Sequence, residues 1–360
     1  MTTTSASAQP LVVAGCYAPA GQPGIHLFRF NDATGALAAC GFHAGIANPS
    51  FLVTHPNRRW LYTVSETGQE DTPGSLWALR FTGEPLTLQP INRRLSGGDS
   101  PCHLQLDRSG KWLLVSNYGA GTVAVLPILG DGSLAEMTDL VQHDGRSVHS
   151  QRQDRPHAHS AAFAPDNRFA VVADLGLDQL LVYAFDSSAG KLSARRHADT
   201  RPGSGPRHMA FHPGGRRLYV ANELDNTVTV YDYDTSSGVL RPQQTADTLP
   251  PGVPENAVAD IHVAPSGRRL YVSNRGHNSI AVFDVAADGR LARSAIVPCG
   301  GKWPRHFTLA PGGRFMLVAN QASGELSVLP LLAGPEAIGA PVAGAAAAQV
   351  SCVQFVTAHD

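Results

Sequence analysis

One stretch of sequence, FHPGGRRLYVAN at residues 211–222, decides the fold because the chain repeats it. Close copies are VAPSGRRLYVSN at 263–274 and LAPGGRFMLVAN at 309–320. Weaker copies, identified by their last residues, end at Ser65, Asn117, Asp174 and, in a truncated form, Gly15. The last residues of successive copies lie 46 to 57 positions apart. Seven units with a period of about this length are typical of four-stranded propeller blades.

Each unit divides into short alternating segments separated by turns. In the fifth unit we predict strands at 208–211, 218–221 and 227–232, and a fourth after a Ser-Ser-Gly turn at 236–238. Alternation with Gly, Asn and Asp turns indicates antiparallel strands, and no stretch keeps a helical period. The sequence therefore predicts an all-β, seven-bladed β-propeller with four-stranded antiparallel blades. An array of two sandwiches is the alternative, but a sandwich requires no fixed period.

The first unit lacks an opening strand, and the end of the chain offers one. VSCVQF at 350–355 resembles PCHLQL at 101–106, which opens the third unit. We expect the C-terminal strand to complete the first blade, because such closure leaves no exposed strand edge. The Ala/Gly/Pro-rich residues 333–348 are the predicted linker to that strand. We expect one domain over 1–360, with 1–10 as a disordered lead-in.

Composition excludes several function classes. The 28 Lys and Arg against 29 Asp and Glu exclude a generally basic nucleic-acid binder. No apolar run is long enough for a membrane span, and the first residues do not resemble a signal peptide. Five cysteines without CxxC spacing argue against a disulfide framework. We expect a cytoplasmic protein without nucleic-acid or membrane partners, as a monomer or weak homo-oligomer.

Polar residues that break the repeat mark the candidate functional positions. Glu223 and Arg275 share one position, directly after the Asn that ends the repeat in neighbouring units. His159, Arg207 and Arg305 share a second, just before the apolar pair of the opening strand. In a propeller, equivalent positions of successive blades face a common central funnel. We therefore expect these five side chains to meet at one mouth of it.

The residue types in this set favour an anionic substrate. Guanidinium groups bind phosphate or carboxylate and stabilise a developing oxyanion. An imidazole can take a proton from water or carbon. No GxSxG, GxGxxG or P-loop motif occurs. His157 and His159 could chelate a metal, but no third ligand of suitable spacing follows, so we expect neither metal nor cofactor.

Other polar residues receive structural interpretations. Three histidines recur at one position of the opening strand and are predicted to belong to the scaffold: His103, His208 and His306. His262 lies mid-strand and is predicted to be a hydrogen-bonded core residue. Asp260, like Glu223, could orient a cation. The charged residues 151–155 are predicted to be a solvated loop.

At these motifs the sequence resembles the seven-bladed propeller lactonase family, which includes propeller-type 6-phosphogluconolactonases and the fungal carboxy-cis,cis-muconate cyclase. The densest matches lie at 156–175, 203–224, 260–283 and 304–321. The resemblance implies active-site roles for His159, Arg207, Glu223 and Arg275.

What the resemblance implies is a cofactor-independent lactone hydrolase that acts on 6-phosphoglucono-δ-lactone. Arg207 and Arg275 would hold the substrate and polarise its carbonyl, His159 would activate water, and Glu223 would orient a cation or relay a proton. Further substrate-binding candidates are His157, Arg305, His277, Asn274 and Asn117.

Several alternatives stay open at this point. Either His157 or His159 could be the base, and the sequence does not say which Arg meets phosphate. A muconate-type cycloisomerase would use the same groups to move a proton at carbon. A non-catalytic propeller that binds a ligand or protein is the third possibility, because blade repeats alone do not specify a function.

Overall fold

The computed structural model describes residues 9–68, 73–253, 255–333 and 337–357. Over these ranges it contains 28 strands, arranged in seven four-stranded antiparallel sheets. The same ranges contain no helix, and so none that could cross a membrane. The predicted all-β propeller class is confirmed.

The first four blades, each given from the axis outward, are as follows. Blade 1 consists of β28 (Val350–Phe355), β1 (Leu11–Cys16), β2 (Ile25–Phe30) and β3 (Leu37–His43). Blade 2 consists of β4 (Leu52–Thr54), β5 (Trp60–Ser65), β6 (Ser75–Thr82) and β7 (Thr87–Leu95). Blade 3 consists of β8 (Pro101–Leu106), β9 (Trp112–Asn117), β10 (Thr122–Pro127) and β11 (Asp139–Gln142). Blade 4 consists of β12 (Ala158–Phe163), β13 (Phe169–Asp174), β14 (Gln179–Asp186) and β15 (Lys191–Asp199).

The other three blades repeat this order. Blade 5 consists of β16 (Pro206–Phe211), β17 (Arg217–Asn222), β18 (Thr227–Tyr233) and β19 (Leu240–Asp247). Blade 6 consists of β20 (Ala257–Val263), β21 (Arg269–Arg275), β22 (Ser279–Val285) and β23 (Leu291–Pro298). Blade 7 consists of β24 (Pro304–Leu309), β25 (Phe315–Asn320), β26 (Glu325–Pro330) and β27 (Ala343–Ala346).

The C-terminal strand closes the ring as predicted. β28 pairs antiparallel with β1, with Val12 opposite Phe355, and contacts the inner strands β24 and β4 on either side. The linker prediction for 333–348 is wrong in part. Its small residues form β27, the outer strand of blade 7, where Gly344 lies opposite Ser327. Most of the predicted lead-in lies outside the described residues, but the Pro10 carbonyl accepts a hydrogen bond from the Phe30 N–H.

The second strand of each blade is apolar on both faces because a neighbouring blade covers each face. In β17, the five residues from Leu218 onward are all buried, and burial of each large side chain contributes about 1.5–3 kcal/mol. Outer strands such as β15 are mostly exposed. The core is thus divided into layers between blades, and the channel is left to polar side chains of the inner strands.

Two local devices repeat from blade to blade and fix the channel-facing positions. The turn before the second strand needs a positive φ, which Gly215 supplies at 70°. At the other end of that strand, the Asn222 side-chain amide donates to the Thr227 hydroxyl at 2.9 Å, across the next turn. Asn117 makes the equivalent bond to Thr122. These bonds hold the residue after each Asn at the same rim of the ring.

Candidate active site

The position shared by His159, Arg207 and Arg305 is a β-bulge. In each case one extra residue of the inner strand interrupts its pairing with the second strand. Cys102 occupies the same bulge in blade 3. A bulge re-aims the side chain of its extra residue, and here the side chains turn towards the axis. Because the bulge recurs in these blades, its extra residue does not pack within the blade, and its side chain can differ in chemistry from one blade to the next.

The other predicted position follows the residue that ends the repeat, which is Asn in blades 3, 5 and 6 and Ser65 in blade 2. It meets the bulges at the same mouth. It holds Glu223 and Arg275 in blades 5 and 6, and Glu66 and Tyr118 in blades 2 and 3. Members of the two sets enclose a cavity of about 340 Å³, a size typical of small-molecule sites. Its lining includes Glu66, Cys102, Tyr118, Arg152, His159, Glu223, Arg275, Trp303 and Arg305. Arg207 lies in a smaller adjoining pocket, whose lining shares Glu66, Cys102 and Arg305 with the cavity.

Glu223 is the centre of the charge network in this cavity. Its carboxylate accepts hydrogen bonds from Arg207 Nε at 2.9 Å, from Arg275 Nη2 at 2.6 Å and from Arg152 Nη2 at 2.5 Å. Burial alone would raise the pKa of Glu223, but the guanidiniums of Arg275 and Arg207 bring it well below its usual range. Glu223 is therefore ionised at neutral pH and orients cations.

Backbone carbonyls of blade 6 fix the two deep guanidiniums. Arg207 Nη1 donates to the Ala259 carbonyl at 2.8 Å, and Arg275 Nη2 donates to the Val258 carbonyl at 3.0 Å. Burial and the neighbouring Arg275 lower the pKa of Arg207 to about 9, which leaves it protonated at neutral pH. The Arg275 guanidinium also lies 5.6 Å from the ring centroid of Trp303.

His159 contributes a buried, neutral imidazole. Its Nε2 lies 4.0 Å from the Glu223 carboxylate, and its ring packs edge-on against Tyr118 at 5.3 Å. Burial, followed by the positive charge of Arg207, lowers the pKa of His159 well below its usual range. The imidazole is thus neutral at neutral pH and keeps one nitrogen lone pair, as a proton acceptor needs. Cys102 Sγ lies 3.9 Å from its Nδ1.

Blades 1 and 2 contribute a second acid and a second aromatic group. The Tyr17 hydroxyl donates to the Glu66 carboxylate at 2.7 Å and accepts from Arg305 Nη2 at 2.8 Å. Ser50 also donates to Glu66. Sequence reasoning missed Tyr17, Glu66 and Tyr118, although all three occupy the position of Glu223. β1 ends at Cys16 rather than at Gly15, which puts Tyr17 in that position.

The prediction that residues 151–155 are solvated is wrong in part, because Gln151, Asp154 and Arg155 are exposed but Arg152 and Gln153 are not. Arg152 ion-pairs with Glu223 and has a side chain 39% exposed, whereas Gln153 is fully buried and donates to the Leu175 carbonyl at 2.9 Å. This connection between blades 3 and 4 has no counterpart in the repeat. Comparing the units with one another therefore could not show that one residue of this connection binds Glu223 and the next is buried.

Four of the predicted substrate-binding residues do not line the cavity. His157 stacks on Tyr118 at 4.3 Å, and its Nδ1 lies 2.9 Å from the Tyr118 carbonyl. His277 is exposed and contacts the Ser279 hydroxyl. Asn117 and Asn274 are fully buried, with side chains bonded to Thr122 and Ser279 in their own blades. Of this group, the structure brings only Arg305 to the cavity.

A second polar layer lies one residue further along the inner strands. His208 Nδ1 is 2.8 Å from one Asp260 oxygen, and His306 Nε2 is 3.5 Å from the other. Burial lowers the pKa of His208 to about 3 and that of His306 to about 4. His262 also bonds to Asp260, at 3.1 Å, but its side chain is 35% exposed. His262 is therefore satisfied as predicted but is not a core residue.

The wider comparisons agree with this architecture. Residues 11–355 match the family model described as a lactonase with a seven-bladed β-propeller. A 6-phosphogluconolactonase of Bacillus subtilis is 35% identical over 87% of this chain and 88% of its own length, and one of Formosa agariphila is 33% identical over 85% and 87%. The structure of a periplasmic gluconolactonase of Pseudomonas aeruginosa is 33% identical, with a TM-score of 0.90 over 97% of this chain and 99% of that one. The chain therefore belongs to the lactonase family of seven-bladed β-propellers.

Proposed function

We propose that this protein is a 6-phosphogluconolactonase, a hydrolase that opens the ester ring of 6-phosphoglucono-δ-lactone. One observation carries the proposal. Among the residues that the structure describes, four guanidiniums and two carboxylates line the cavity and the smaller pocket that adjoins it: Arg152, Arg207, Arg275, Arg305, Glu66 and Glu223. With His159 neutral, these six side chains carry two excess formal positive charges. A phosphomonoester carries about −1.5 to −2 at pH 7 and balances them.

The exposed side of the cavity suits the phosphate. Arg152 is the most accessible of its guanidiniums, and Arg305 is held by the Tyr17 hydroxyl rather than by backbone carbonyls. Guanidiniums bind phosphate through two parallel hydrogen bonds, and an accessible guanidinium keeps N–H groups free for them. We assign Arg152 and Arg305 to the phosphate of the substrate.

The deep pair suits the ester. Arg207 uses Nε and Nη1 in bonds to Glu223 and the Ala259 carbonyl, which leaves Nη2 without a partner among the described residues. Arg275 is held in the same way. Donors fixed before the reaction stabilise a developing oxyanion without reorganisation. In this proposal, Arg207 and Arg275 polarise the ring carbonyl, and Glu223 keeps them in place.

His159 is the proposed base that activates water. Its neutral imidazole accepts a proton as the water oxygen attacks the carbonyl carbon, and then returns the proton to the leaving ring oxygen. The low pKa makes it a weak base in the free protein. A bound dianion favours the imidazolium and raises that pKa. Glu223, ionised and clamped by three guanidiniums, is less suited to relay the proton.

The proposal is tested by the rate of lactone hydrolysis above the spontaneous rate. His159→Ala, Arg207→Ala and Glu223→Ala should each reduce kcat/KM for 6-phosphoglucono-δ-lactone by about 100-fold or more. Arg241→Ala, an exposed change on the outer strand of blade 5, is the control and should have no effect. Unchanged rates in the three variants would refute the mechanism. A carboxymuconate substrate in parallel tests the cycloisomerase alternative.

A second candidate activity is the hydrolysis of unphosphorylated glucono-δ-lactone. The observation that favours it is the similarity to the periplasmic gluconolactonase of Pseudomonas aeruginosa, at 33% identity. The two activities separate in one assay of both lactones. A kcat/KM at least 10-fold higher for the phosphorylated lactone supports our proposal, and the reverse ratio supports the second candidate.

The proposed compartment is the cytoplasm. All five cysteines are free, and four of them are buried, a pattern suited to a reducing environment. Fractionation of the producing cells, with a marker enzyme for each compartment, tests this directly. Recovery with the periplasmic or secreted fraction would contradict it.

A further inference from the structure

We propose that Asp260, His262 and His306 form a binding site for a divalent first-row transition metal on the propeller axis. Asp260 and His262 lie two residues apart on β20, and their side chains meet, with His262 Nε2 3.1 Å from Asp260 Oδ2. His306 reaches them from β24 in the adjacent blade. The site is distinct from the cavity described above, and the inference does not depend on the proposed function.

The geometry is close to that of a coordination sphere. One ligand atom from each residue can be chosen so that all three lie within 4.8 Å of one another. Asp260 Oδ2 is 3.1 Å from His262 Nε2 and 3.5 Å from His306 Nε2. Ligand atoms each about 2.1 Å from a tetrahedral ion lie about 3.4 Å apart. The two distances from Asp260 therefore match a tetrahedral site, and the two imidazole nitrogens lie within 4.8 Å of each other.

The donor set selects the class of ion. Two imidazoles with one carboxylate suit Zn²⁺, Fe²⁺ or Co²⁺, whereas Mg²⁺ and Ca²⁺ prefer oxygen ligands. His262 has a side chain that is 35% exposed, which gives an ion a path from solvent. The exposed side also leaves room for water to complete the coordination.

The Asp260 carboxylate is held in place by groups outside the proposed ligand set. His208 Nδ1 bonds to Oδ1 at 2.8 Å, and the Phe307 N–H donates to Oδ2 at 3.0 Å. Such outer contacts orient metal ligands and raise affinity. The hydrogen-bonding partners of this buried carboxylate, within the described ranges, are three imidazoles and one peptide N–H group. A bound cation would compensate its charge.

Metal binding would replace some of the hydrogen bonds that the two imidazoles now make. Coordination through Nε2 requires both ligating imidazoles to carry their proton on Nδ1. His306 would then lose the long contact, 3.4 Å, from the Val353 N–H to its Nδ1. Both imidazoles would also exchange a hydrogen bond to Asp260 for a metal bond. Without metal, the same residues form a hydrogen-bonded cluster.

The test is a Zn²⁺ titration of the full, untagged protein after chelator treatment, by calorimetry, with Co²⁺ visible absorption as a second readout. His262→Gln removes a ligand at a partly exposed position and should leave the fold intact. His197→Gln is the matched control, because His197 is an exposed residue on an outer strand. Circular dichroism melting without metal verifies that both variants fold.

We expect one equivalent of Zn²⁺ to bind the wild type and His197→Gln with the same affinity. His262→Gln should bind at least 10-fold more weakly, and should lose the d–d bands that Co²⁺ shows in an imidazole-rich site. Absence of saturable one-equivalent binding in the wild type would overturn the inference. Equal affinity of the wild type and His262→Gln would overturn it as well.

Discussion

Arg207 and Glu223 form a buried ion pair in which Arg207 Nε lies 2.9 Å from Glu223 Oε2, with side chains only 2% and 4% exposed. The Arg comes from a bulge in β16, and the Glu directly follows β17. Both strands belong to blade 5, so the blade itself sets the distance. The pair therefore holds its geometry before any ligand binds, as preorganised catalysis requires.

The first prediction concerns the charge of Glu223. Glu223→Gln leaves three guanidiniums without their shared counter-charge, and breaking a buried pair costs about 3–5 kcal/mol. We expect a lower urea midpoint and a loss of about 100-fold in kcat/KM. Glu136→Gln is the control, because Glu136 has a side chain 84% exposed in its pair with Arg94. If Glu223→Gln had the stability of the wild type, the negative charge of Glu223 would not be needed to stabilise the three guanidiniums.

The second prediction concerns the phosphate assignment of Arg152. Arg152→Gln should raise KM for the phosphorylated lactone about 10-fold to 100-fold, because one charged contact to phosphate is lost. Hydrolysis of the unphosphorylated lactone should change by less than about threefold, since that substrate makes no such contact. Arg155→Gln, an exposed position on the same connection, should behave as the wild type with both. Equal losses on both lactones would remove the assignment.

The third prediction concerns pH and the buried histidines. Burial lowers the pKa of His306 from 6.5 to about 4, so the folded protein binds fewer protons than the unfolded chain between these values. Stability from this group is present above pH 6.5 and is lost as the pH falls towards 4. At about 1.4 kcal/mol per unit, the loss is on the order of 3 kcal/mol.

This difference is measurable by urea unfolding at pH 7.5 and pH 4.5 in the presence of a chelator. His306→Gln should show a smaller fall in the free energy of unfolding than the wild type over that range. The exposed change His197→Gln should keep the wild-type fall. An identical fall in the wild type and His306→Gln would mean that His306 is not held neutral in the folded state.

The fourth prediction concerns ring closure. A chain ending at Gln349 lacks β28, the inner strand of blade 1 that contacts β24 and β4. We expect loss of cooperative unfolding and rapid proteolysis, because the edge of β1 and two blade faces become exposed. A chain ending at Thr357 keeps the whole strand and should unfold as the wild type does. Normal folding of the shorter chain would show that closure is dispensable.

The repeat predicted most of the fold because blade architecture is periodic. Residues such as Tyr219 recur in copies of one apolar strand, and the Pro-Gly turn recurs before it. The same comparison located Glu223 and Arg207, since polar residues stand out against repeated neighbours. The seventh blade escaped prediction in its last strand, where β27 is made of Ala and Gly with little strand propensity.

The candidate site was predicted less completely, for reasons that particular residues make clear. Arg152 lies on a connection outside the repeat, so no equivalent position in another unit could identify it as a functional residue. Asn117 and Asn274 bind the turn that follows them, and their recurrence reflects that structural task. Glu66 shares a position with Glu223 but depends on a three-dimensional contact to Tyr17 and Arg305 that no local pattern encodes.

The measurement that tests the central claim most directly is kcat/KM of His159→Gln for 6-phosphoglucono-δ-lactone, with the spontaneous rate subtracted. Gln fills a similar space but cannot accept the proton from water, so we predict a loss of at least about 100-fold. His197→Gln should retain the wild-type value, and both proteins should melt as the wild type does. A folded His159→Gln protein with wild-type kcat/KM would contradict the account.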